Sequence, residues 1–398
     1  MSKVIFLILC SILAIQVVKS AYRGVPPEAH YDFRQLASTL NFPIEEHQVT
    51  TSDGYILTFF RIQAKNTKIK NGLPPLLLNH GLLDSSDSFI VNDEPQAPGF
   101  LLANAGFDVW FANNRGNKYS IGHTDPVNFN SSDANSKFWD FSWQEMSEFD
   151  LPASIQFVAQ KTGQKVSFIG HSEGSTIMFA ALARRDPVVV NNLDKFIALA
   201  PAVFLQHSSS PLVQIGGWIK AGSILHSWDL FIERKKFGWM SESNRKLWVN
   251  ICANALSICV TRVRLLSDAN TTVDNTHRFP VTSGHYPAGS SVQNILYWSQ
   301  MFNKPTFNMF DFGKDKNLQV YGTPTPPSYD LSKITEPVYM FVGQYDELAS
   351  PADTSNLRYQ LTGSSRVEYR TYPLGHGSFI WALDVVTYVN DVLAILKS

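Results

Sequence analysis

Cysteine is scarce in this chain: three residues in 398. None lies beside histidine at ligand spacing, which excludes a zinc-ribbon or metal-cluster design and any dense disulfide scaffold. An excess of either charge is also lacking, with 33 Lys and Arg against 34 Asp and Glu. Without basic excess there is no electrostatic footprint for nucleic acid or a polybasic hold on membrane. Internal repeats are missing, which removes solenoids and propellers. The short Thr-Pro-Thr-Pro-Pro-Ser run at Thr323 is a loop rather than a low-complexity domain. Beyond the first twenty residues no apolar run is long enough to span a bilayer. What remains, with 44% hydrophobic and 13% aromatic residues, is a folded chain of one large domain with an insertion, or of two domains.

The N-terminus has its own character. Met1-Ser2-Lys3 carries one positive charge, residues 4–18 are almost wholly apolar, and Lys19-Ser20-Ala21 offers small residues for cleavage. Residues 1–20 are therefore expected to be a signal peptide, with a soluble mature chain in or beyond the secretory pathway. Cys10 would leave with it. Cys252 and Cys259 remain, able to bridge in an oxidising compartment or to stay as two buried thiols. Asn130 and Asn270 begin Asn-x-Ser/Thr sequons and are glycosylation candidates.

Residues 49–62 predict a hairpin turning at Asp53-Gly54. Short apolar runs at 75–79, 107–112, 166–170, 196–200 and 338–342 lack alternation, as parallel strands covered on both faces do. Between them lie helical patterns. Ser142 and Glu145 form a capping-box signature opening a helix towards Thr162, in which Pro152 marks a kink or the true first turn. Residues 175–185 and 381–397 are further helix candidates. Strands alternating with helices predict an α/β fold around a mainly parallel central sheet. The alternation lapses over 206–330, an insertion rich in aromatics (Trp218, Trp228, Phe231, Phe237, Trp239, Trp248) and expected to cap the sheet's edge. The core then divides into 21–205 and 331–398.

Within the run "KVSFIGHSEGSTIMFA" a strand gives way to a helix at Gly170-His171-Ser172-Glu173-Gly174. A Gly-x-Ser-x-Gly at such a junction is a nucleophile elbow. The turn strains the serine backbone, glycine at 170 and 174 removes clashes with the adjoining elements, and Ser172 is left at the tip. The helix that follows aims its N-terminal dipole at charge developing there.

A serine nucleophile needs a base and a group to orient that base. In sheets of this kind the chain order is serine, acid, histidine. Asp346 lies just past the run 338–342. His376 lies between glycines after a last strand at 367–372. Both fall at the carboxyl ends of parallel strands, where sites form. Asp353 belongs to a helix start and Asp330 to the wrong end of its strand. His123, His277 and His285 fall in loops without a nameable partner and read as surface or satisfied residues, and His171 cannot readily reach Ser172. Oxyanion donors are expected from the main-chain N–H of Glu173 and, in the stretch His80-Gly81-Leu82, from that of Leu82. No metal or organic cofactor is called for.

These motifs resemble the acid lipase family of gastric and lysosomal lipases. "NHGLLDSS", "NNRGNKYS", "FWDFSWQEMSEFDLPA", "GHSEGST", "LAPA", "SVQNILYWSQ", "GQYDELASPAD" and "GHGSFIWALD" follow that family's order from Phe33 almost to the C-terminus. The resemblance implies an α/β-hydrolase core with a cap and lid, a serine lipase acting on triacylglycerols or sterol esters at an interface, and a secreted or lysosomal/endosomal destination. It carries Ser172, Asp346 and His376 as triad, Leu82 and Glu173 as oxyanion donors, and supports a Cys252–Cys259 bridge. Two departures stand out: Glu173 replaces the usual glutamine, and Gly375-His376-Gly377 replaces an Asn-His-Leu stretch. A carboxylate beside an oxyanion opposes the developing charge, so Glu173 is expected to be turned away or protonated. Two other classes stay open, a soluble short-chain carboxylesterase and a non-catalytic lipid-binding protein on a hydrolase fold; an intact triad argues against the second.

Overall fold

The computed structural model describes residues 24–65, 69, 72–211, 214, 232–233, 235–302 and 304–398. The expected signal peptide at 1–20 and Trp218, Trp228 and Phe231 lie outside the described residues. Strands follow the chain as β1 (Ile44–Thr50), β2 (Tyr55–Ile62), β3 (Leu76–Asn79), β4 (Val109–Phe111), β5 (Gly122–His123), β6 (Val166–His171) and β7 (Leu193–Leu199). After them come β8 (Ile232–Glu233), β9 (Lys236–Phe237), β10 (Ser290–Ser291), β11 (Val338–Gly343) and β12 (Val367–Tyr372). Nine of these make one sheet in the order β1-β2-β4-β3-β6-β7-β11-β12, with β5 beside β2. From β4 to β12 every neighbour is parallel, while β1, β2 and β5 are antiparallel.

Burial on both faces explains the unbroken apolar runs. Val338, Met340 and Val342 of β11 enter one core layer, Tyr339 and Phe341 the other. Leu77 of β3 likewise opposes Leu76 and Leu78. Because successive side chains point to opposite faces, a strand covered twice must be apolar at every position.

The predicted hairpin is present with a longer first strand, and Gly54 at φ +98° closes its turn. The capping box at Ser142 also forms: Glu145 accepts the Ser142 N–H at 2.7 Å, and the Ser142 hydroxyl caps the helix. Pro152 then falls at the start of the helix Leu151–Thr162, after a π-helical turn over Met146–Asp150. The Leu151 N–H bonds to Met146 O, five residues back. Both readings of that proline are thus partly right, since its missing N–H and its ring forbid a regular α-turn there. One helix expectation needs correction. Residues 381–397 are not continuous: a turn Ser378–Trp381 ends before the helix Val386–Leu396, the chain passing through extended Ala382.

Between 206 and 330 the described residues hold helices at Glu242–Asn254, Leu256–Leu266, Phe279–His285, Val292–Met301 and Lys314–Tyr321, and the three-stranded sheet β10-β9-β8. A disulfide joins Cys252 to Cys259, with Cα atoms 5.5 Å apart. Among the described residues no single helix is long and apolar enough to cross a membrane; Glu242–Asn254 and Leu256–Leu266 would pass only as a pair bent by 107°. Asn130 is exposed and Asn270 half-buried.

Buried charge braces the loops beyond β3 and β4. Arg115, 2% exposed, pairs with Asp53 and Asp150 at 2.7 Å each and lies 3.9 Å over the Tyr55 ring. Asp150 is the last residue of the π-turn. Removing one partner of a buried pair strands the other, so Asp150→Ala is expected to cost about 3–5 kcal/mol in a denaturant-unfolding measurement. A loss below about 1 kcal/mol would contradict this assignment of the brace.

Candidate active site

Ser172 directly follows β6 at φ +53°, ψ −119°, a positive-φ conformation rare for a residue with a Cβ. The turn is held by Ser172 N–H donating to Leu199 O at 2.9 Å and by Ser175 N–H donating to Ser172 O at 2.9 Å. A Cβ on Gly170 would lie 2.7 Å from Gly174 C and Ser175 N, and one on Gly174 would strike the carbonyls of Asn79 and His80. The helix Glu173–Ala183 starts immediately after the serine and is buried throughout.

The structure brings Ser172, His376 and Asp346 together from the ends of β6, β12 and β11. His376 Nε2 is 2.7 Å from Ser172 Oγ, and His376 Nδ1 is 2.9 Å from Asp346 Oδ2. Asp346 Oδ1 accepts the N–H groups of Leu348 and Ala349 at 2.9 and 2.8 Å, which fixes the carboxylate. The serine proton thus faces a ring nitrogen whose partner nitrogen is tied to an acid, an arrangement suited to general-base attack by an alkoxide. Burial by itself would lower the His376 value; Asp346 and then Asp268 outweigh it and hold the imidazole above its ordinary range.

The loop His80-Gly81-Leu82 reaches the serine where it should: a Cβ on Gly81 would lie 3.1 Å from Ser172 Cβ. Its geometry depends on His80, buried and pushed down to about 4 by desolvation. His80 Nδ1 donates to Gly81 O at 2.8 Å, while Nε2 accepts from the Asn114 N–H at 3.1 Å and faces Asn117 Nδ2 at 3.1 Å. Asn114 and Asn117 belong to "NNRGNKYS", so that motif serves as a scaffold for the loop. His171 donates from Nε2 to His376 O at 2.9 Å and is pushed down to about 3 by burial and by His376. It therefore packs as a neutral ring beside the site.

Glu173 is buried. Oε2 accepts from Asn294 Nδ2 at 2.9 Å and from Trp298 Nε1 at 2.6 Å, both on the helix Val292–Met301. Asn294 Oδ1 also accepts the Trp143 N–H at 2.8 Å, so one amide joins the elbow to the capped helix start. Burial pushes Glu173 up to about 7 despite these bonds.

The three histidines without a nameable partner in sequence are surface or satisfied residues, as expected, although two of them lie in regular elements rather than loops. His285 ends a helix, buried, with Nδ1 2.6 Å from Asp87 Oδ2 and Nε2 2.9 Å from Glu28 O. His123 lies in β5, stacked 3.9 Å from Phe129. His277 sits in a 3-10 turn, Thr276–Arg278. Asp353 opens the helix Pro351–Gln360, and Asp330 caps the turn before β11. One acidic residue at the site has no sequence signal: Asp268, whose Oδ1 accepts the His376 N–H at 2.5 Å. A cavity of about 200 Å³ reaches Ser172, walled by Leu82, Leu83, Val263, Leu266, Phe279 and Ile380 among others.

A parallel sheet with a serine elbow at its centre defines an α/β-hydrolase. The family model for the α/β hydrolase fold matches residues 74–383, and that for a partial alpha/beta-hydrolase lipase region matches residues 33–93. Mouse lipase member M is 35% identical, over 98% of this chain and 92% of its own. Rat gastric triacylglycerol lipase is 34% identical over 93% and 92%, and human lysosomal acid lipase/cholesteryl ester hydrolase 36% identical over 91% and 89%. Among solved structures, a soluble variant of monoglyceride lipase from Saccharomyces cerevisiae shares the fold, with a TM-score of 0.53 and 15% identity over 89% of this chain and 96% of that one. The chain belongs to the acid lipase family of α/β-hydrolases.

Glu173 has a folded value above its ordinary 4.5. Its contribution to stability is complete below about 4.5 and is lost as pH rises through about 7. Glu173→Gln should therefore unfold at nearly the wild-type midpoint at pH 4.5, but gain on the order of 2–3 kcal/mol over wild type at pH 8. Identical pH dependence of unfolding in the two proteins would show that this carboxyl does not resist ionisation.

Proposed function

We propose that this chain is a secretory-pathway serine lipase that hydrolyses carboxylic esters of lipids, triacylglycerols or sterol esters, through an acyl-enzyme on Ser172. The observation that carries the reading is the line Asp346–His376–Ser172 at 2.9 and 2.7 Å, opening on an apolar cavity. Relatives named for triacylglycerol and cholesteryl ester hydrolysis support the substrate class. The signal-peptide pattern at 1–20, the disulfide and the sequons support the route.

His376 Nε2 takes the proton of Ser172 as Oγ attacks the ester carbonyl. The oxyanion is met by the main-chain N–H groups of Glu173 and Leu82, with the dipole of the helix Glu173–Ala183 behind the first. The imidazolium returns its proton to the leaving alcohol, and Asp346 keeps the ring in the tautomer required. Water, activated by the same imidazole, then releases the fatty acid. An apolar wall suits the acyl chain, whose transfer from water gains about 0.8 kcal/mol per buried methylene.

Hydrolysis of a long-chain triacylglycerol emulsion and of a soluble short-chain ester from pH 4 to 8 tests this reading. Activity should rise at the emulsion surface, and Ser172→Ala should lower kcat by about 10⁴-fold or more. Asp346→Asn should lower it by about 10⁴-fold with KM little changed, because the amide stabilises the wrong tautomer. Turnover of the soluble ester alone would make the protein an esterase. Lipid binding with no turnover on either would make it a carrier.

A further inference from the structure

Asp268 makes the closest contact with the site among the acids that acyl transfer does not use. It follows the disulfide-linked helices and is fully buried, 108 residues before His376 in sequence. Its Oδ1 accepts the His376 N–H at 2.5 Å, and both carboxylate oxygens lie 3.3 Å from the Gly377 N–H. Backbone pairing sets this up: Asp268 and Asp346 form an antiparallel bridge, flanked by Ala269 N–H to Tyr345 O and Glu347 N–H to Ser267 O, each 2.9 Å. One short ladder thus delivers two acids to His376, Asp346 to the ring and Asp268 to the main chain. The glycines beside His376 make room. A Cβ on Gly375 would strike the Asp268 carboxyl, and one on Gly377 the Trp381 indole.

We infer that Asp268 is a positioning residue for His376: its carboxyl anchors the main chain at His376-Gly377, aiming Nε2 at Ser172, and its charge adds to that of Asp346 when the imidazolium forms. This rests on the acyl-transfer reading of Ser172, His376 and Asp346. An acid holding two backbone N–H groups makes charge-assisted bonds stronger than neutral ones. A loop released by its loss would let Nε2 drift, and a displacement of about 1 Å at a reacting group can cost about 10²-fold in rate.

The charge can also be switched. Facing Asp268 are His376 and Asp346 from two loops, with Asp274 on its own segment bonded to Ser378 Oγ at 2.7 Å. Beyond the imidazole, His171 donates to His376 O. Burial and then Asp346 push Asp268 up to about 7. Below that the carboxyl is protonated, keeps an oxygen on the N–H groups and withdraws its charge from His376, which then loses its proton at lower pH than it would between two carboxylates. Above it, the ionised acid favours the imidazolium.

The test compares wild type with Asp268→Ala and Asp268→Asn as full mature chains. It measures kcat and KM on a p-nitrophenyl ester from pH 4 to 9, the rate at which an alkyl fluorophosphonate modifies Ser172, and thermal unfolding of each variant. The alanine variant should lose about 10²-fold in kcat and in phosphonylation rate, with KM within about 3-fold. The asparagine variant keeps the acceptor without the charge. It should stay within about 10-fold of wild type at pH 5, and its ratio to wild type should fall as pH rises through 7. An alanine variant within about 3-fold of wild type overturns the inference, as does an asparagine-to-wild-type ratio that is constant with pH. Wild type that shows neither turnover nor phosphonylation at Ser172 would instead overturn the parent reading.

Discussion

The main chain of Ser172, held at φ +53°, ψ −119°, is the constraint to which the rest of the site is fitted. A residue with a Cβ in that region costs roughly 1–3 kcal/mol and persists only where its surroundings leave no alternative. Those surroundings are the β6–β7 register that places Leu199 O under the serine N–H, and the buried helix that continues from Glu173. Glycine at 170, 174 and 81 lets three backbone segments close around the turn without overlap. With the elbow in place, Oγ stands clear of its own helix, 2.7 Å from His376 Nε2.

Closing segments so tightly leaves polar groups out of water, and the structure answers with two charge clusters. Arg115 between Asp53 and Asp150 pins the loop after β4 to the hairpin and to the π-turn. Asp87 is bound by Lys118, Tyr119 and His285, so the loop after β3 is tied to the helix Phe279–His285 of the insertion. Lys118 and His285 hold the Asp87 carboxyl well below the usual range against the effect of burial. Desolvation would make either cluster costly if a member were lost, and so both specify one position for the loop that carries Leu82.

A second set of acids is paired with few or no cations. Asp84, Glu173 and Asp268 are pushed up to about 7 and Asp274 to about 8, each chiefly by burial. Their folded values exceed the ordinary ones, so each favours the folded state at acid pH and counts against it as pH rises through neutrality. Glu173, read in the sequence as a departure from the family pattern, has its carboxyl bonded to Asn294 and Trp298.

Much of this was legible in the residues. Strands β3, β6 and β11 show as apolar runs because burial on both faces leaves no alternation to confuse, and the elbow and the capping box at Ser142 are local patterns. Ser172, Asp346 and His376 could be chosen because each directly follows a strand. The break after Trp381 was hidden, since the residues flanking it are as apolar as a helix would require. By itself the sequence determined which residues stand at the strand ends and what chemistry they can do, since both follow from spacing along a few neighbouring positions. Only the tertiary structure decided that Asp268 holds the main chain of His376, that His285 meets Asp87, and that Glu173 bonds to Asn294 and Trp298. Each of those contacts joins residues more than a hundred positions apart, and no local pattern records which distant groups the closing of the sheet and its insertion will bring within bonding reach.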